Sequence, residues 1–422
     1  MQGLLLGIDL CDDCSQISFF NTKNLEAESV GMSEDDSQCL IPTVLCKRKG
    51  NESWYIGEDA YRYALMGEGI MVDKLISLAA KGGTSTMEGT KYEAEQLLEL
   101  FIGRLLMIPL TKYKTAEIEE LVFTIQTLDP VVMDTLIRIA DRLGVKRDRV
   151  HIISHTESFL YYVISQQKEL WRNQSCLFDL TETGLHYYEL RVIRGRSPQI
   201  VEVAHQELEE AFSLEILETK SGGKLADTIL CSCAERLLNK KLMSSVFLTG
   251  RGFETNDWAS GFLKFICNKR RVFAGQNLFA KGAAYIAFDN TLESTSYPYI
   301  CICEGRIRYT VSMEAVCAGR NRQMIVAGAG TNWYEAKADI EFILDNKDSV
   351  DFTVTPADNP RQTKLSVPLK EFPVRPAKAT RIEMIVAFIK EDCMMVRLID
   401  KGFGDLFPSS GQEIKRYFYL NN

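Results

Sequence analysis

No apolar run in this 422-residue chain reaches the ~18 residues that a membrane-spanning helix needs. The opening run, Leu4-Leu5-Leu6-Gly7-Ile8, has no basic flank and no cleavage site, and it is too short for a secretory signal. It reads as a buried strand, and the expected location is cytoplasmic, with no membrane contact. A basic surplus is missing too. Forty-nine Lys and Arg face 57 Asp and Glu, a formal net charge of -8, which argues against a general nucleic-acid binder. The two basic runs, Lys47-Arg48-Lys49 and Lys269-Arg270-Arg271, are short enough to be solvated turns. Histidine is scarce: His151, His155, His186 and His205 show no ligand spacing, so a place in the core or on the surface is expected for each. Cysteine is not scarce, at 12 residues, but no second CxxC or Cys/His pair completes Cys11-Asp12-Asp13-Cys14 or Cys231-Ser232-Cys233. Most of the thiols are expected to be small buried hydrophobes of a reducing compartment, without metal or redox duty.

The length is too great for one core at ~100–200 residues per domain, and 46% apolar with 25% charged residues is ordinary for a globular chain. Leu4–Leu10 and Gln16–Phe20 flank a tight polar loop and predict a hairpin. Ile41–Val44 predicts a strand and Tyr92–Met107 a helix with Leu97, Leu98, Phe101 and Leu105 on one face. Leu121–Ile125 is strand-like. Asp129 suits an N-cap before Pro130, and Gly144 a C-terminal stop. His151–Ile153 predicts a short strand, and Ser154 to Glu157 reads as a capping box. Ser175–Leu180 and Leu185–Val192 predict a second hairpin, and Val246–Thr249 a buried strand ending in Gly250-Arg251-Gly252. A hairpin opening each half, followed by strand-helix units, predicts an α/β architecture with a duplicated plan. After Asp289 short alternating runs with Pro, Gly and Asn turns predict an all-β module.

This order of motifs resembles the nucleotide-binding domain of the DnaK-type heat-shock chaperones, in the actin-like ATPase superfamily. Gly7-Ile8-Asp9-Leu10-Cys11-Asp12-Asp13-Cys14-Ser15 stands at that family's first phosphate loop. Ile41-Pro42-Thr43-Val44, Tyr55–Ala60 and Asp73-Lys74-Leu75-Ile76 are similar to its next motifs. Gly144 to Tyr162 follows the stretch that bears its glutamate, here Glu157. Phe178-Asp179-Leu180-Thr181-Glu182-Thr183-Gly184 takes the place of the second phosphate loop. Gly222-Gly223-Lys224-Leu225-Ala226-Asp227, Phe247–Gly250 and Gly282-Ala283-Ala284 complete the match. Arg381–Met384 and Leu398–Gly402 are similar to strands of the family's peptide-binding sandwich.

The resemblance implies an actin-like ATPase duplicated two-lobed fold at residues 1–289, with lobes of roughly 1–154 and 155–289, then an all-β sandwich at 296–422. The family's helical lid has no counterpart after the sandwich, and its apolar linker is replaced by the mostly polar Asp289–Ser294. Asp9, Lys74, Glu157 and Asp179 are the implied catalytic residues, with Asp9 and Asp179 as the implied metal aspartates. Asp12, Asp13, Ser15, Thr181, Gly184, Gly222, Gly223, Gly250, Arg251 and Gly252 stand where nucleotide contacts are made. ATP or ADP with magnesium is the implied ligand, but both phosphate loops are rewritten. Glycine and threonine have become Cys11, Asp12 and Asp13, and three glycines have become Thr181, Glu182 and Thr183. Carboxylates facing phosphates would repel them. About twenty residues separate Gly223 from Val246, too few for the subdomain that holds adenine. The expectation is a protein- or peptide-binding or scaffolding pseudo-ATPase that need not bind nucleotide. The alternatives are a slow magnesium-dependent ATPase, kinase or chaperone, or a subunit of an actin-like assembly.

Overall fold

The computed structural model describes residues 3–33, 38–115, 117–210 and 212–420. They form a mixed α/β chain with eight α-helices and several sheets. None of the described helices is long and apolar enough to cross a membrane. The chain divides into two compact units, Met1–Val192 with Val203–Tyr297, and Ile193–Glu202 with Pro298–Asn422.

Two sheets organise the first unit. One contains β1 (Leu4–Leu10), β2 (Cys14–Asn21), β3 (Glu26–Val30), β4 (Ile118–Ile125) and β5 (Val150–Ser154) in the order β5-β4-β1-β2-β3. The other contains β6 (Gln174–Leu180), β7 (Leu185–Ile193), β8 (Gln199–Leu208, of which Val203–Leu208 belong to this unit), β9 (Met243–Thr249) and β10 (Arg271–Ala274) in the order β10-β9-β6-β7-β8. In each, a central strand runs antiparallel to its hairpin partner and parallel to two strands on its other side. The two sheets thus repeat one plan. Six helices matter below: α1 (Leu75–Ala80), α2 (Ala94–Lys112), α3 (Pro130–Arg142), α4 (His155–Ile164), α5 (Lys220–Leu238) and α6 (Leu278–Asp289).

Local chemistry explains most of these elements. All seven residues of β1 are buried, as expected of a strand covered on both faces. Its Gly7 is needed for packing: a Cβ there would fall 2.2 Å from the Ala280 carbonyl oxygen of α6. Asp129 caps α3, accepting from Val131 N at 2.8 Å and Val132 N at 3.1 Å. Ser154 Oγ accepts from Glu157 N at 3.2 Å and starts α4. Ile41–Val44 is less regular than its apolar pattern predicts. Only Ile41–Pro42 pairs, with β2, and a separate strand begins at Leu45. Between Gly223 and Met243 the chain continues α5 and forms no other helix or strand.

The regular structure of the second unit is strand, with no α-helix among its described residues. Arg320–Ala327, Tyr309–Cys317, Ser349–Pro356 and Thr363–Pro368 form one antiparallel sheet in that order. Lys337–Leu344, Thr380–Lys390, Cys393–Gly402 and Glu413–Tyr419 form another. Alternate residues of each turn inward, so Val311, Phe352 and Val354 share one core with Ile382, Met384, Val396 and Leu398. Within this unit Gln199–Glu202 pair in parallel with Tyr299–Ile302.

One buried ion pair anchors the second unit. Asp400 is fully buried. It takes Arg375 in a two-pronged pair at 2.6 and 2.8 Å, and also accepts from Ser410 N at 2.9 Å, Ser410 Oγ at 2.6 Å and Gly402 N at 3.0 Å. Burial alone would push this carboxyl up, but Arg375 and the Ser410 and Gly402 donors outweigh it and hold Asp400 below the usual range. The stability it contributes is therefore present at neutral pH and lost as pH falls through that depressed value. Asp400→Asn leaves Arg375 buried without a counter-charge and should cost about 3–5 kcal/mol in denaturant unfolding.

Candidate functional site

Asp9 and Asp179 are both the next-to-last residue of a central strand, β1 and β6. Asp9 pairs in register with Thr124 of β4, and Asp179 with Thr249 of β9. The ends of parallel strands are where open α/β sheets place ligands. Cys11, Asp12 and Asp13 of one following turn and Thr181 and Thr183 of the other line one cleft of about 220 Å³ together with Ser77, Gln126, Asp129, His155 and Asp179. That volume lies below the ~300–1,000 Å³ of pockets for drug-sized ligands. Asp12, Asp13, Asp129 and Asp179 line it, and no lysine or arginine does among the described residues.

The acidic side chains have separate employment. Asp12 does not point two free oxygens at a ligand, as the loop sequence suggested. Its Oδ1 accepts from Ile76 N at 2.9 Å and Ser77 N at 3.1 Å, and its Oδ2 takes the Ser77 hydroxyl. Asp12 thereby caps α1, whose own N-cap residue, Lys74, offers no side-chain bond. Asp13 Oδ1 accepts from Cys14 N at 2.7 Å, and burial pushes its carboxyl up. Asp179 is 4% exposed and accepts no hydrogen bond among the described residues. Burial, together with the Asp9 and Asp13 charges and despite His155, raises it to about 7.

Asp9 finds a partner that sequence spacing concealed. His155, the first residue of α4, is 3% exposed, and its Nε2 lies 2.8 Å from Asp9 Oδ1. Cys11 Sγ donates to the same oxygen at 3.6 Å and lies 3.8 Å from His155 Nε2. The His155 ring stacks on Phe279 with centroids 4.0 Å apart. His155 is in the core, as expected of a lone histidine, but it also completes a group with Cys11 that has no counterpart in the linear pattern. A second contact, Gln126 Nε2 to His186 Nε2 at 2.8 Å, extends polar contacts from the cleft lining, and His186 Nδ1 lies 3.2 Å from His205 Nε2. Burial depresses His186.

The remaining candidates are dispersed. Lys74 is exposed, with a left-handed backbone, and does not line the cleft. Glu157 is buried in the first turn of α4, and Ser15 is buried against the Thr43 hydroxyl at 2.8 Å; neither lines the cleft. Gly222 and Gly223 lie in the first turn of α5, where Gly222 N bonds Thr219 Oγ1 at 3.1 Å. Thr181 N bonds the Gly184 carbonyl at 2.9 Å and closes the β6–β7 turn. Gly250, with φ +91°, has a steric duty, since a Cβ there would lie 2.5 Å from Asp179 Oδ1. Gly252 packs against the Leu180 side chain. Arg251 forms an ion pair with Glu182.

A family model described as "Family of unknown function (DUF5716) C-terminal" matches residues 26–304, about two thirds of the chain. The chain belongs to that family. A second model, "Domain of unknown function (DUF8552)", matches residues 306–420. No curated protein matches the sequence. Within the family match lie Asp179, His155 and the whole second hairpin, while Asp9 and Cys11 precede it.

Two outcomes follow from this geometry. Asp12→Ala removes the cap of α1 and should cost about 1–2 kcal/mol in urea unfolding. Asp179 is raised in the folded chain, so the folded state holds its proton more tightly than the unfolded one. Stability from this group is present below the unfolded value and is lost as pH rises toward about 7. Asp179→Asn should therefore be more stable than wild type at pH 8, by roughly 2–4 kcal/mol, and equal to it near pH 4.

Proposed function

We propose that the chain is an actin-like, DnaK-related scaffold whose cleft has lost triphosphate chemistry, a pseudo-ATPase that binds a protein partner. The duplicated sheet plan and the order of the quoted motifs support the relationship. The observation that carries the functional reading is the charge of the cleft. Phosphoryl transfer relies on positioning and on neutralising phosphate charge. Here four carboxylates line the cleft with no lysine or arginine among the described residues. The amides that could receive an anion at the start of α1 are already bonded to Asp12. The second turn carries the side chains of Thr181 and Thr183, bonded to each other at 2.8 Å, where a glycine cradle would leave backbone N–H groups open. These residues do not fit a nucleotide phosphate chain with its magnesium.

A partner segment adding to a sheet edge in the second unit accords with this reading. Arg320–Ala327 is the terminal strand of its sheet, with Ile325 65% exposed. One observation favours a residual magnesium-dependent ATPase instead: Asp9 and Asp179 hold matching positions in the two sheets.

Thermal unfolding of the full chain with ATP, ADP or GTP, each with magnesium, separates the two. The expected result is no saturable shift in Tm and no steady-state hydrolysis. A shift that disappears in Asp179→Ala would establish the ATPase reading and overturn the first.

A further inference from the structure

We propose that Asp9, Cys11 and His155 form a binding site for a zinc ion, with an open coordination position toward the cleft. Their donor atoms already form a compact triangle: Asp9 Oδ1 to His155 Nε2 is 2.8 Å, Cys11 Sγ to Asp9 Oδ1 is 3.6 Å, and Cys11 Sγ to His155 Nε2 is 3.8 Å. All three donor atoms lie within 4.8 Å of one another. Tetrahedral zinc, with bonds of ~2.0 Å to nitrogen and oxygen and ~2.3 Å to sulfur, sets edges of roughly 3.3 Å between nitrogen and oxygen and roughly 3.6 Å from sulfur to either. Two edges of the triangle match as they stand. The third, now a hydrogen bond, opens by about half an ångström when the ion replaces the bonding proton.

The setting favours a cation. Asp9 and His155 are 5% and 3% exposed, so little water competes for them. The His155 ring is fixed by its stack on Phe279 at 4.0 Å, and Asp9 by its place in β1. Asp179 lines the same cleft, is 4% exposed and accepts no hydrogen bond among the described residues. A buried carboxylate in that state gains from a nearby divalent charge.

The donors select the metal. Magnesium and calcium take oxygen ligands, whereas a set of one thiolate, one imidazole and one carboxylate suits zinc. Three protein ligands with a fourth position for water or another ligand is the arrangement of open zinc sites. On binding, the Cys11 S–H bond breaks, a zinc–sulfur bond forms and the proton leaves to solvent. His155 binds through Nε2 with its proton on Nδ1.

The experiment uses the full chain, stripped with a chelator, then titrated calorimetrically with zinc and separately with magnesium. Cobalt is added in a parallel sample as a spectroscopic substitute. Expected are one zinc per chain, no magnesium binding, and a thiolate-to-cobalt charge-transfer band that zinc abolishes. Cys11→Ser should remove the band and weaken zinc at least tenfold, while Cys14→Ser should retain both. Absence of zinc binding by wild type, or unchanged affinity in Cys11→Ser, overturns the proposal. X-ray absorption of the zinc-loaded wild type decides independently of any variant's folding. One sulfur with nitrogen and oxygen neighbours supports the site, and a shell with no sulfur or several overturns it.

Discussion

A carboxylate taken out of water must be hydrogen-bonded, paired or protonated, and each central strand of the first unit carries one next to its last residue. Asp9 is satisfied through His155 and Cys11. Asp179 is not satisfied in that way, and burial drives it toward the protonated form near neutrality. The surroundings are arranged about this constraint. Gly250 lacks the Cβ that would strike Asp179, Asp12 turns away to cap α1, and Glu182 is drawn to Arg251. What is left over is a small, acidic, partly dry cleft whose unmet requirement is positive charge.

The skeleton around that cleft was legible because it is local. The five apolar residues of β1, the Asp129–Pro130 start of α3 and the hairpin patterns of β1–β2 and β6–β7 each act within a few residues. Period and capping chemistry are written in consecutive positions. The site is different in kind. His155 meets Asp9 across 146 residues, and Asp12 meets Ser77 across 65. No spacing rule reports such pairs. The one available signal for His155 was its position directly after a parallel strand, at the start of a helix, with that strand's last residue, Ser154, beside Ile125 of β4.

The same distinction applies to the loop from Cys11 to Cys14. Read in line, Cys11-Asp12-Asp13-Cys14 is two acids where a phosphate loop needs amides, flanked by half of a cysteine motif. In three dimensions its members part company. Asp12 serves a helix, Asp13 bonds the Cys14 amide, and Cys11 turns to Asp9 and His155. Cys14 does not take part in that triangle. Cys11 is grouped with residues from β1 and α4 rather than with Cys14 or a second CxxC.

On the two proposals made above, loss of a phosphate cradle and gain of a cation site are two faces of one change in charge. A triphosphate site must present more positive than negative charge to its ligand, supplied by backbone amides, a lysine and a metal. In the proposed relationship to such a site, glycines replaced while Asp9 and Asp179 stay in place invert that balance. Keeping Asp179 buried without a compensating cation works against the fold at neutral pH, as the direction of its raised value reflects. If the aspartates were idle, replacement by neutral residues would be favoured on stability grounds alone. A bound divalent ion offsets that cost directly, because binding to the folded state alone adds to its stability. On the reading proposed above, a cation in the cleft accounts for a buried Asp179 that a lost phosphate site alone would leave uncompensated.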